Sequence, residues 1–205
     1  MLHFPLKKST FKIVPFFFFM LSGFWFYAQT DSLEKEIEKN LQSKEYELVL
    51  SNIEKLESNP YYLRSRKNNL NLLKAKFYYN TNQHEEAVNL LLKGHSELSG
   101  DSSQDPLYLK YIKYLGKIFN EAQNFNKSND YYKEVLEKSL LLNDTIEILD
   151  AYLALGKNYY NKEENDSAVI HFKKMLNYPI TPKTENFISF SYNNLGIIAS
   201  ETSLE

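Results

Sequence analysis

Residues 151–179 read AYLALGKNYYNKEENDSAVIHFKKMLNYP, and the order of small and aromatic residues in this stretch decides the fold. Leu155-Gly156 is followed by Tyr159, a polar break, Ala168 and Phe172. Two antiparallel helices approach closely only where one offers a residue without bulk, and large flat side chains then fill the flanks of the contact. Forty residues earlier, Leu115-Gly116, Phe119, Ser128 and Tyr132 fill the same slots, and forty residues later Leu195-Gly196 stands behind Tyr192. A weaker copy uses Ala75, Tyr78, Ala87 and Leu91. In the two best copies the glycine and the following small residue lie twelve positions apart, which predicts that Gly116 faces Ser128 and that Gly156 faces Ala168.

This grammar resembles the tetratricopeptide repeat (TPR) family, with Ile112, Tyr152 and Tyr192 in the slot that the family usually gives to Trp. The resemblance implies an all-α fold, a right-handed superhelix (α-solenoid) of antiparallel helix pairs, here about nine helices. Residues 29–62 then form a degenerate opening pair with Leu33, Ile37 and Leu41 facing Val49, Ile53 and Leu56. Residues 63–205 form the repeats, at 63–103, 104–143, 144–183 and a partial copy at 184–205. The step is longer than the usual 34 residues, which requires longer helices or turns.

Punctuation agrees with helix pairs. Asn59-Pro60, Asp105-Pro106 and Thr181-Pro182 each place a capping side chain before a proline suited to a first helical turn, and Asp144 followed by Glu147 resembles a capping box. Polar breaks at residues 80–82, 124–126 and 162–165 separate the helices, and the segment Leu98 to Gln104 reads as irregular and outside the core. β-Branched alternation never persists, so no strand is expected.

The first 28 residues belong to another class. Lys7, Lys8 and Lys12 precede an uncharged run from Ile13 to Tyr27 that closes on Ala28-Gln29, the pattern of a secretory signal peptide. The residue three before that cut is Phe26 rather than a small one, which leaves a retained anchor as the alternative to cleavage, although fifteen apolar residues fall short of the ~20 that cross a bilayer. No Cys stands near the cut, which excludes a lipid anchor. Taking away the three lysines of this segment leaves 21 basic against 26 acidic residues, a net charge of −5 that argues against a general nucleic-acid surface. With no Cys in the chain, the exported fold is held without disulfides.

Chemistry-bearing clusters are few. His3, His84, His95 and His171 have no second ligand at i+4, and His171 is expected to point outward beside the core residue Phe172. No nucleophile elbow and no Gly-rich phosphate loop appears. The expected protein is therefore no enzyme and uses neither cofactor nor metal. Binding has candidates instead. In the repeat family the first helices line the groove, and the resemblance places Lys76, Lys117 and Lys157 at one groove position of successive repeats, joined by Lys110 and Lys113. Asn80, Asn120 and Asn161 add amides, and Tyr79 and Tyr160 add flat walls. The set resembles the Lys and Asn clamps by which some such repeats hold a peptide carboxylate, so the expected partner is a protein or peptide, in particular an acidic one.

An export signal leading into Asn- and Lys-rich helical repeats with Tyr-Tyr pairs is also similar to the periplasmic sensor region of membrane-bound bacterial helix-turn-helix regulators and sensor kinases. That resemblance implies the sensory portion of a longer signalling or transcription-regulatory protein, with a membrane tether in a following part. A repeat begun at Gly196 would need its second helix beyond Glu205, which points the same way. The competing expectation is an assembly scaffold for envelope or secretion machinery.

Overall fold

The computed structural model describes residues 14–100 and 106–202, with side chains from residue 28 onward. Among the described residues there are nine helices and no strand: α1 (Val14–Ser43), α2 (Tyr46–Glu57), α3 (Pro60–Asn80), α4 (His84–Leu98), α5 (Pro106–Glu121), α6 (Phe125–Leu142), α7 (Thr145–Asn161), α8 (Asn165–Met175) and α9 (Glu185–Thr202). Residues 1–13 of the expected signal peptide lie outside the described residues. The helix that begins at Val14 runs on through Ala28 and Gln29, and no described helix is long and apolar enough to cross a membrane.

The chain forms two compact units, residues 1–73 and 74–205. In the first unit α1 and α2 pack together, burying Ile37 and Leu41 on one helix and Val49, Ile53 and Leu56 on the other, while Leu33 stays half-buried. Asn59 caps α3 as expected, its Oδ1 accepting from the backbone N–H of Tyr61 and of Tyr62 at 3.1 Å. The Tyr62 hydroxyl then donates to Glu34 at 2.6 Å, and Arg66, where α3 leaves helical geometry (φ −135°, ψ 29°), pairs with Asp31 and Glu34.

The second unit is a run of helices in which α4 to α9 each pack on the next. Residues 111–120 of α5 and 151–160 of α7 show the same burial position by position, so the forty-residue step of the sequence is also a step of the structure. The turns repeat as well. Lys44, Asn82, Gln123 and Glu163 all take left-handed φ of 56–61°, and the next residue donates its N–H to the carbonyl five positions back at 2.8–2.9 Å before a new helix begins. This closes the preceding helix as a Schellman motif does, but without the glycine that such a turn favours.

Three local expectations are corrected and a fourth is refined: beyond the Cα of Gly116 and Gly156 the nearest atoms belong to the rings of Tyr132 and Phe172, at 3.0 and 2.5 Å from where a Cβ would be. Ser128 approaches Gly116 through its hydroxyl, which donates to the Gly116 carbonyl at 2.8 Å. A third close approach, Gly94 under the buried ring of Tyr111, is not announced by the repeat pattern, because its glycine sits on a second helix. Pro182 does not open a helix: α9 starts at Glu185 after a Thr181–Thr184 turn, in which the Thr184 hydroxyl donates to the Pro179 carbonyl at 2.6 Å. Asp144 caps α7 through Ile146 and Glu147, but the Glu147 carboxylate reaches Lys113 instead of closing a box, and the Asp144 N–H donates to Ser139. Leu98 ends α4 and is buried rather than irregular.

Candidate functional site

The first helices of the second unit, from residue 74 of α3 through α5, α7 and α9, carry a row of cations held over rings. Lys76, buried in the last turns of α3, sets its Nζ 5.3 Å from the centre of the Tyr114 ring, and Lys117 of α5 reaches back to 4.6 Å above Tyr79. Tyr79 and Tyr114 meet edge to face at 6.0 Å, so the two lysines and two tyrosines alternate in one cluster. The forty-residue partner of Lys117, Lys157 on α7, lies 5.5 Å from the half-exposed ring of Phe190 on α9. A cation over an aromatic face is attracted by the ring quadrupole, at about 0.5–1 kcal/mol where solvent reaches it, and its flexible stem is held in place.

The remaining expected residues are placed differently. Lys113 points across to α7, where Nζ lies 2.8 Å from both Glu147 and Asp150, so its charge is balanced within the chain. Partial burial would lower its pKa, but the two carboxylates outweigh that and raise it. Lys110 and Asn161 are exposed. The Asn80 amide bonds to the Lys76 carbonyl at 2.7 Å, fastening the end of α3. Tyr79 and Tyr160 are tied at their hydroxyls to Glu121 and Glu201, the latter at 2.7 Å. Burial, and then the carboxylate, push the Tyr79 phenol well above its ordinary range; the Tyr160 phenol is raised chiefly by its bond to Glu201.

Asn120 leads to a feature that the sequence hid. Its amide donates to Asn158, which is completely buried and in turn donates to Ser128 Oγ at 2.7 Å and to Asn129 Oδ1 at 2.8 Å. This chain of amides joins α5, α6 and α7. One repeat earlier, the place of Asn158 is held by Ile118, so the period itself gave no sign of it.

A second polar cluster lies on α4, α5 and α6. His95 stacks on Tyr108 with centroids 5.4 Å apart, and the Tyr108 hydroxyl, 3.1 Å from His95 Nε2, donates to Glu134. His171 is half-buried rather than turned outward, stacked on Tyr159 at 5.2 Å with Tyr152 nearby. Burial, with Lys174 and Lys133 in the vicinity, lowers its pKa. At the turn end, a shallow depression of about 360 Å³ is lined by residues 122–126 and Lys162, whose Nζ is taken by Glu164 at 2.7 Å. Among the described residues no three His, Asp or Glu side chains are grouped to hold a metal ion.

No protein-family model matches this chain, and no curated protein is similar to it at a significant level. The crystal structure of BtubC (BKLC) from P. vanneervenii is similar over 86% of this chain and 74% of that one, with a TM-score of 0.72 at 15% sequence identity. At that identity the likeness concerns the fold: an all-helical, repeat-like arrangement.

Proposed function

We propose that this chain is a non-catalytic repeat scaffold of TPR-like helix pairs, wound as a right-handed superhelix, that binds a protein or peptide along its first helices. It serves as the exported, periplasmic sensory portion of a signalling or transcription-regulatory protein. The observation that carries the binding reading is the pair Lys117 and Lys157, each poised over the ring of another helix, with Lys76 buried beside Lys117 over the Tyr114 ring. Cations already held in place lose less freedom when a carboxylate arrives, and rings beside them supply apolar contact. The fitting ligand is an acidic peptide with an apolar or aromatic side chain. Lys113, neutralised by Glu147 and Asp150, orders the surface rather than gripping the ligand.

Exposed ion pairs contribute about 0–1 kcal/mol each, so affinity should be modest and should fall as salt rises. The test uses a fluorescent hexaglutamate peptide and the double variant Lys117→Glu, Lys157→Glu. Loss of binding with unchanged helicity supports the proposal. Binding that survives both the double variant and high salt overturns it.

A further inference from the structure

Of the three lysines in the row, Lys117 alone has a carboxylate four residues further along its own helix. Lys76 is followed at that spacing by Asn80 and Lys157 by Asn161, whereas Lys117 is followed by Glu121. Residues four apart on a helix surface are neighbours, and Lys and Glu so placed ordinarily attract each other. Here they do not pair. Among the described residues Lys117 makes no ion pair, and the Glu121 carboxylate instead accepts from the Tyr79 hydroxyl of α3. The two residues of α5 therefore hold one tyrosine at different places: Lys117 sets its Nζ 4.6 Å from the centre of the ring, and Glu121 takes the hydroxyl.

We infer, on the basis of the lysine face as the binding site, that Tyr79 is a positioning residue whose hydroxyl draws Glu121 away from Lys117 and so keeps that lysine's charge unpaired for the ligand. Glu121 is the acid that would otherwise occupy the place of a ligand carboxylate. The ring is braced edge to face by Tyr114 at 6.0 Å and by His84 at 5.8 Å, so its hydroxyl is presented at a fixed point. Burial, and then the bond to Glu121, raise the Tyr79 phenol, which stays protonated and able to donate. Lys113, about two turns before Glu121 on α5, is already closed by Glu147 and Asp150, so a released Glu121 turns to Lys117. The tie between Tyr160 and Glu201 is of the same kind but has no such task, because Ile197 stands four residues before Glu201.

Tyr79→Phe tests this, since it keeps the ring beneath Lys117 and removes only the hydroxyl. Two readouts are taken on the 205-residue chain at low salt: affinity for the fluorescent hexaglutamate peptide, and the rate at which an N-hydroxysuccinimide ester of acetate acylates Lys117, followed by mass spectrometry. Tyr79→Phe should weaken the peptide and slow the acylation by about two- to fivefold, the range open to an exposed ion pair, because a paired ammonium is both neutralised and harder to deprotonate. Adding Glu121→Gln to Tyr79→Phe should restore both, since the competing charge is then gone. No change in acylation with Tyr79→Phe, or a loss that the double variant fails to restore, overturns the proposal. Acylation needs no ligand and decides the matter by itself: if it responds as expected while the wild-type chain binds no hexaglutamate, the role of Tyr79 stands and the acidic-peptide reading falls.

Discussion

The α5–α6 and α7–α8 pairs are two printings of one design forty residues apart, and they differ most where their burial is the same. Positions 118 and 158 are both buried, yet one is an isoleucine and the other an asparagine that joins three helices through hydrogen bonds. The glycines differ too: the ring of Phe172 sits closer to Gly156 than the ring of Tyr132 to Gly116. A repeat therefore dictates which positions are covered, and each copy then settles its own chemistry beneath the cover.

Glycine substitutions should separate the copies most strongly. Gly156→Leu forces a side chain into the Phe172 ring and should cost about 1–3 kcal/mol or more by overpacking, Gly116→Leu somewhat less, and Gly196→Leu close to nothing. Chemical denaturation of the three variants checks the order. Equal losses would break the correspondence between the copies. At the paired buried positions, Asn158→Ala should cost about 1–3 kcal/mol because Ser128 and Asn129 lose a buried partner, whereas Ile118→Val should cost about 0.5–1.5 kcal/mol as a simple cavity. Thermal unfolding of the two variants measures that gap.

The period, the helix pairs and the small-aromatic slots were legible because packing repeats every forty residues and side-chain volume is written directly in the residue type. Asn158 was not, since a polar residue in an apolar slot signals burial only once its partners are known. The turns at Lys44, Gln123 and Glu163 were hidden for a related reason: left-handed backbone is normally announced by Gly or Asn, and here Lys, Gln and Glu occupy it. Of the candidate site, the Lys76, Lys117 and Lys157 row could be read from its register. Tyr114 and Phe190, the rings beneath two of them, could not, because only the packing of neighbouring first helices brings them there.

Two smaller effects sharpen the comparison further. His171 of α8 has no counterpart on α6, where Tyr131 holds its place. Its lowered pKa means that the unfolded chain takes up the proton first, so stability is full above about pH 6.5 and falls as pH drops toward the folded value. Replacement by His171→Phe should flatten that part of a stability-against-pH curve; an unchanged slope would show that other groups govern it. At the turns, Glu163→Gly and Gln123→Gly should each add up to about 1 kcal/mol by relieving left-handed backbone, visible as a modest rise in Tm. Asn82→Gly should add less, since Asn tolerates that conformation.

The central claim is that the first helices of the second unit form the binding face. It is tested most directly by mapping backbone amide shifts as a hexaglutamate peptide is added at low salt. The perturbed amides should cluster around Lys76, Tyr79, Tyr114, Lys117, Lys157 and Phe190 and recover as salt is raised. Perturbations confined to α4, α6 and α8, or none at saturating peptide, would contradict it.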